Sequence, residues 1–128
     1  MKIKLNSVIV RDQEHALRFY TEVLGFIQKT EIPVGDYKWL TVVSPADPDG
    51  AQLVLEPNAH PASAAYQKAL FETGTPLTSF AVDDAQGDFE RLKTLGVTFT
   101  MEPTDVGTAI IAVFDDTCGN FIQIYQES

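Results

Sequence analysis

The chain has 128 residues, with 45% hydrophobic and 21% charged side chains, 18 acids against nine bases for a formal net charge of −9, and one cysteine. This composition excludes a disordered chain, an internal disulfide framework, a multi-cysteine zinc site and a nucleic-acid binder, which needs a basic footprint. No apolar run reaches the roughly 20 residues that cross a bilayer, and the Met1–Asn6 start lacks a secretory pattern, so a cytoplasmic protein with no membrane partner is expected.

Residues 2–10 are rich in β-branched side chains and are expected as a strand. Ala16, Phe19, Tyr20, Val23 and Leu24 then recur at helical spacing, with Asp12 placed to cap the helix and Gly25 to stop it. Residues 26–32, 37–44 and 51–56 are expected as three further strands. Residues 58–74 are a linker carrying a short helix, Ala64–Thr73, with Ser63 as its expected cap. A strand over Leu77–Val82, a helix opened by Asp83 and Asp84 and closed at Gly96, and strands at 97–101, 107–114 and 120–126 complete the chain.

The element order is β-α-β-β-β, repeated once. Val10-Arg-Asp12 aligns with Val82-Asp-Asp84, Leu24-Gly-Phe26 with Leu95-Gly-Val97, and the segment around Gly50 with the segment around Gly119. The order of these landmarks is the mark of an internal repeat. The chain is therefore expected as one α+β domain over 1–128, with modules 1–57 and 75–128. The two modules in tandem are expected to form a curved mixed sheet around a cleft, helices outside, and such a cleft is the default place for a small-molecule site.

Three segments carry a family resemblance: Phe19-Tyr-Thr-Glu-Val-Leu-Gly-Phe26, the strand exit Ala81-Val-Asp-Asp84, and the hairpin Phe114-Asp-Asp-Thr-Cys-Gly-Asn-Phe-Ile-Gln-Ile124. Together, in this order, they resemble the vicinal oxygen chelate superfamily, which includes glyoxalase I, extradiol dioxygenases and bleomycin-binding proteins. The resemblance implies a homodimer. In metal-dependent members it implies four strand positions that hold a metal, and here those positions are Leu5, Val54, Leu77 and Gln123. Leucine and valine have no lone pair to offer, and a lone neutral amide is a poor transition-metal ligand. No metal and no other cofactor is expected.

Strand alternation assigns the face on which a ligand would lie. If Val54 and Gln123 point inward, so do Leu5, Ser7, Ile9, Gln52, Glu56, Ser79, Ala81, Phe121 and Tyr125. The alternate set, Val8, Val10, Leu53, Leu55, Phe80, Val82, Ile122 and Ile124, is almost wholly apolar, as a helix-covered face requires. The expected ligand-binding set is Trp39, Gln52, Glu56, Ser79, Phe121, Gln123 and Tyr125. Glu56 is either a partner for a cation, a catalytic base, or a strand-end side chain in solvent. Trp39 is either a stacking wall for a flat ligand or an ordinary core or interface aromatic. Gln123 holds a ligand or satisfies a neighbouring hydroxyl.

Residues 1–68 hold eight acids and seven bases, while residues 69–128 hold ten acids and two bases. That imbalance either keeps the surface soluble or draws in a cationic ligand. The resulting expectation is a protein that binds a small organic molecule, cationic and aromatic in character. The alternative is a glyoxalase-like lyase or dioxygenase, working without metal through Glu56 or through a non-standard metal site.

Overall fold

The structure is a computed structural model that describes all residues, 1–128, and it divides into two compact units, Met1–Ala65 and Tyr66–Ser128. Each unit carries one β-α-β-β-β module and one four-stranded mixed sheet, so the tandem arrangement expected from the internal repeat is present.

In the first unit, β1 (Leu5–Val10), α1 (Gln13–Arg18), β2 (Ile27–Val34), β3 (Tyr37–Val43) and β4 (Gln52–Pro57) build a sheet of order β1-β4-β3-β2. β1 runs parallel to β4, and the other neighbours are antiparallel. Asp12 starts α1 as expected: its side chain accepts from the N–H groups of Glu14 and His15, satisfying donors that the first helical turn leaves open. The helix continues into a π-helical turn, Phe19–Val23, and Gly25 then takes a φ of +90°. Ala16, Phe19 and Tyr20 are buried, as are Val8, Val10, Leu40, Val42 and Leu55, and α1 lies against β3 and β4. Of these, Val8, Val10 and Leu55 belong to the set that alternation assigns to the helix-covered face, while Leu53 of that set is half-buried. Each such aliphatic or aromatic side chain contributes about 1.5–3 kcal/mol when fully removed from water.

In the second unit, β5 (Pro76–Ala81), α3 (Ala85–Thr94), β6 (Phe99–Asp105), β7 (Ala109–Asp115) and β8 (Phe121–Glu127) build a sheet of order β5-β8-β7-β6. Asp84 caps α3 by accepting from the Gly87 N–H at 3.0 Å. Phe89 stands edge-on to Phe99 with ring centroids 4.8 Å apart, and Phe99 meets the fully buried Phe114 at 5.6 Å. The β7–β8 hairpin turns on a buried Asp116, which accepts from the backbone N–H of Cys118 and Asn120 and from the Asn120 side chain.

The linker helix, α2 (Pro61–Glu72), corrects one expectation. It starts three residues earlier than Ala64, and the Ala62 N–H donates to His60 Nδ1 at 3.0 Å, so His60 rather than Ser63 serves its first turn. Proline is suited to the first helical position because its φ is preset and its missing N–H would have no helical partner there. From Tyr66 onward the helix belongs to the second unit. Gln67 donates to the Cys118 carbonyl and to Asn120 Oδ1, both at 3.1 Å, and Phe71 stacks on Phe121 at 4.5 Å.

Candidate ligand-binding faces

The first face is the side of the β1-β4-β3-β2 sheet opposite α1. The parallel pairing sets Ser7 beside Val54 and Ile9 beside Glu56, while Leu5 lies beside Gln52. Ser7 Oγ donates to Glu56 Oε1 at 2.9 Å, which aims the exposed carboxylate along the sheet. Thr41 Oγ1 donates to Gln52 Oε1 at 2.8 Å, so the Gln52 amide is held by β3. Thr41 pairs with Val54, so Trp39, two residues earlier, shares their face. Its register partner Ile32 and the Tyr37–Val34 pair extend the same face toward the β2 edge. Ile32, Val34, Tyr37 and Trp39 are 53%, 59%, 48% and 38% exposed. An apolar strip of this kind, next to one carboxylate, is what a partly planar organic ligand requires of a surface.

The second face is the side of the β5-β8-β7-β6 sheet opposite α3. Ser79 lies beside Gln123 and Ala81 beside Tyr125, and Gln123 Nε2 donates to Ser79 Oγ at 2.9 Å. Gln123 therefore satisfies a hydroxyl, one of the roles open to it from sequence. Phe121 carries Phe71 stacked on its ring, which leaves it less free surface than Trp39 has. The pairing slips between Pro76 and Thr78, so Leu77 is the extra residue of a bulge. The two-residue alternation of Ser79 and Ala81 does not run through Leu77, one of the four positions that the resemblance implies.

One buried side chain that bonds the two strands behind the first face was not among the sequence candidates. Gln13 is the first residue of α1 and is buried. Its Nε2 donates to the carbonyls of Lys38 and Leu55, each at 2.8 Å, and its Oε1 accepts from the Lys38 N–H at 3.0 Å. It thus bonds the backbones of β3 and β4 at once. Beside it lies an open cavity of about 350 Å³ lined by Arg11, Gln13, Asp36, Tyr37, Lys38 and Pro57 among others. The Lys38 ammonium bridges Glu14 and Glu31, and the Glu14 carboxylate first, then Glu31, raises its pKa above the ordinary 10.5. The sequence did hold a signal for Gln13. In the repeat alignment that pairs Asp12 with Asp84, Gln13 falls on Ala85, so an amide stands where the second module has a buried methyl group.

No three histidine, cysteine, aspartate or glutamate side chains come together as a metal-ligating group. No helix is long and apolar enough to cross a membrane.

A profile of the Glyoxalase/Bleomycin resistance protein/Dioxygenase superfamily matches residues 2–124. The uncharacterized protein YurT of Bacillus subtilis (strain 168) is 58% identical over 127 residues, covering 99% of this chain and 100% of that protein. Among solved structures, UcmS2 superposes with a TM-score of 0.84 at 28% identity, covering 98% of this chain and 97% of the other. TnmS3, described as an antibiotic binding protein from Streptomyces sp. CB03234, superposes with a TM-score of 0.80 at 30% identity, covering 100% of this chain and 97% of the other.

Proposed function

The chain belongs to the Glyoxalase/Bleomycin resistance protein/Dioxygenase superfamily, and we propose that within it this protein is a metal-free binder that takes up a small organic molecule without transforming it. The observation that carries the reading is the exposed strip Ile32, Val34, Tyr37 and Trp39 on the same sheet face as the Ser7–Glu56 pair. A flat hydrophobic ligand gains from the aromatic and aliphatic surface, and a positive charge on it gains from Glu56. The likeness to TnmS3, an antibiotic binding protein, supports uptake of an organic compound of that general kind.

The donor set supports the metal-free state. The four strand positions at which metal-dependent relatives hold their ion correspond to Leu5, Val54, Leu77 and Gln123, and these do not fit a transition metal. Gln52, Ser79, Phe121, Gln123 and Tyr125 are proposed as ligand contacts with Trp39 and Glu56, and the active species as a cytoplasmic homodimer. The excess of acids over bases in residues 69–128 favours a cationic ligand over an anionic one.

The test uses two probes of one shape, N-methylquinolinium and its neutral counterpart methylnaphthalene, titrated against Trp39 emission. The cation is expected to bind more tightly. Glu56→Gln keeps the shape, removes the charge, and is expected to weaken the cation about tenfold or more while leaving the neutral probe nearly unchanged. Equal losses for both probes would assign Glu56 a structural role. Failure of the wild-type protein to bind either probe would end the reading. Metal analysis of dialysed protein should find well under one equivalent, and sedimentation at micromolar concentration should give twice the chain mass.

A further inference from the structure

The β3–β4 ladder stops early. Its paired residues are Thr41 with Val54, Val42 with Leu53 and Val43 with Gln52, and nothing pairs beyond Thr41 although both strands continue. Extending the register would set Trp39 opposite Glu56 and Lys38 opposite Pro57. Pro57 has no N–H, so the ladder cannot supply a donor to the Lys38 carbonyl. The Gln13 amide supplies it, returns an acceptor to the Lys38 N–H, and donates to the Leu55 carbonyl as well. One side-chain amide thus occupies the space of the missing rungs, and the strands stand apart around it, with the Gln13-lined cavity at their open end.

The second module lacks this device. There β7 and β8 pair without a break from Ala109–Glu127 to Asp115–Phe121. The position of Gln13 is taken by Ala85, and the position of Pro57 by Gln126, whose Oε1 accepts the Ala85 N–H at 2.9 Å. The glutamine that joins helix to sheet sits on the helix in one module and on the strand in the other. Only the first arrangement parts the strands.

We propose that Gln13 is a positioning residue for the ligand-binding face: by standing in for the missing rungs it holds Trp39 and Glu56 apart and sets the spacing at which a planar ring seats between the indole and the carboxylate. This rests on the binding function proposed above and adds which part of the first sheet recognises the ring. Gln13 does not touch the ligand; it acts through the two residues on either side of the gap.

The experiment compares wild type, Gln13→Ala, and Gln13→Ala with Pro57→Gln, the last recreating the second module's pattern. N-methylquinolinium and methylnaphthalene are titrated at a temperature well below every melting transition. Because spacing rather than charge is altered, both variants are expected to lose both probes by about tenfold or more, with a changed Trp39 emission maximum before probe is added. A merely structural Gln13 would lower the melting temperature and leave both affinities and the emission maximum as they are, which would overturn the proposal. The double variant keeps the test decisive if Gln13→Ala does not fold. A third measurement needs no variant: on titration of wild type with N-methylquinolinium, the backbone amides of Lys38, Trp39, Leu40, Leu55 and Glu56 should shift. Binding without a response there would refute the positioning role and leave the binding function standing, whereas absence of binding would refute the function itself.

Discussion

The two modules share an element order and differ in where each sheet is regular. In the first, the outer β2–β3 ladder holds seven pairs with one slip and the inner β3–β4 ladder three; in the second, the inner β7–β8 ladder holds seven without a slip and the outer β6–β7 ladder four, with two slips. Their hairpin turns differ in the same sense. The turn after β7 is locked by the buried Asp116 and tied to α2 through Gln67, while the Ser44–Asp49 connection after β3 is exposed. A duplicated frame thus has one closed half and one half opened beside the proposed ligand face. Openness is placed by a few side chains: an amide against a methyl group, a proline against a glutamine.

The largest test of this contrast is in the two cores. Phe114→Ala removes a fully buried ring from the closed half and is expected to cost about 3–5 kcal/mol in urea unfolding. The register equivalent in the open half is Val42. Val42→Ala removes two methyl groups and should cost about 2 kcal/mol. Equal costs would show that the halves do not differ in how tightly their cores depend on these positions.

The turns come next. Asp116→Ala would strip acceptors from the Cys118 and Asn120 N–H groups and is expected to cost about 2–3 kcal/mol. Asp47→Ala, in the exposed turn of the first module, should change stability by no more than about 0.5 kcal/mol. Gln13→Ala should cost about 1–2 kcal/mol by leaving the Lys38 and Leu55 carbonyls without their donor. Adding Pro57→Gln should recover most of that loss, a coupling that a double-mutant cycle would read.

The smallest effect concerns Lys38. Its pKa is raised in the folded protein, so, while Glu14 and Glu31 are ionised, the stabilisation linked to its charge is fully present below 10.5 and is lost as pH climbs through the higher folded value. The pair is exposed and its neutral-pH effect is slight. Lys38→Met should therefore leave the melting temperature almost unchanged near neutrality and differ from wild type only in how stability falls on the alkaline side of 10.5. A clear difference near neutrality would mean that Lys38 helps hold the parted strands.

Much of the fold was legible because its signals are local. Asp12 and Asp84 cap because a short side-chain oxygen reaches the N–H groups two or three residues on, and Gly25 and Gly96 stop helices because φ values of +90° and +91° cost glycine little. One further signal was present in the spacing. The repeat offset drops from 72 at Val10/Val82 to 71 at Leu24/Leu95, so the first module has one extra residue between cap and stop. The π-helical turn Phe19–Val23 absorbs it: Phe26 N–H reaches back to the Tyr20 carbonyl, where Val97 N–H reaches the Leu92 carbonyl one residue closer. Ser63 misled because its own capping tendency says nothing about a proline two residues earlier that has already begun the helix.

The candidate face was legible only in part. Alternation placed Gln52, Val54 and Glu56 on one side of the first sheet, because side chains in a strand must alternate whatever they pack against, but only the β3–β4 register put Trp39 on that side. It could not show that Ser7, not Leu5, lies beside Val54, since register between distant strands depends on how they meet in space. Nor could it show that Gln13 reaches two strands at 25 and 42 residues' separation.

The residue pattern by itself determined two β-α-β-β-β repeats, their capped helices and the apolar face each sheet turns to its helix, since these follow from nearest-neighbour sterics, hydrogen-bond reach and the period of each element. Tertiary structure alone decided that β3 and β4 part beyond Thr41 while β7 and β8 do not. Parting depends on a buried amide finding three backbone partners at once, and on Pro57 withholding a donor at the place where that amide arrives.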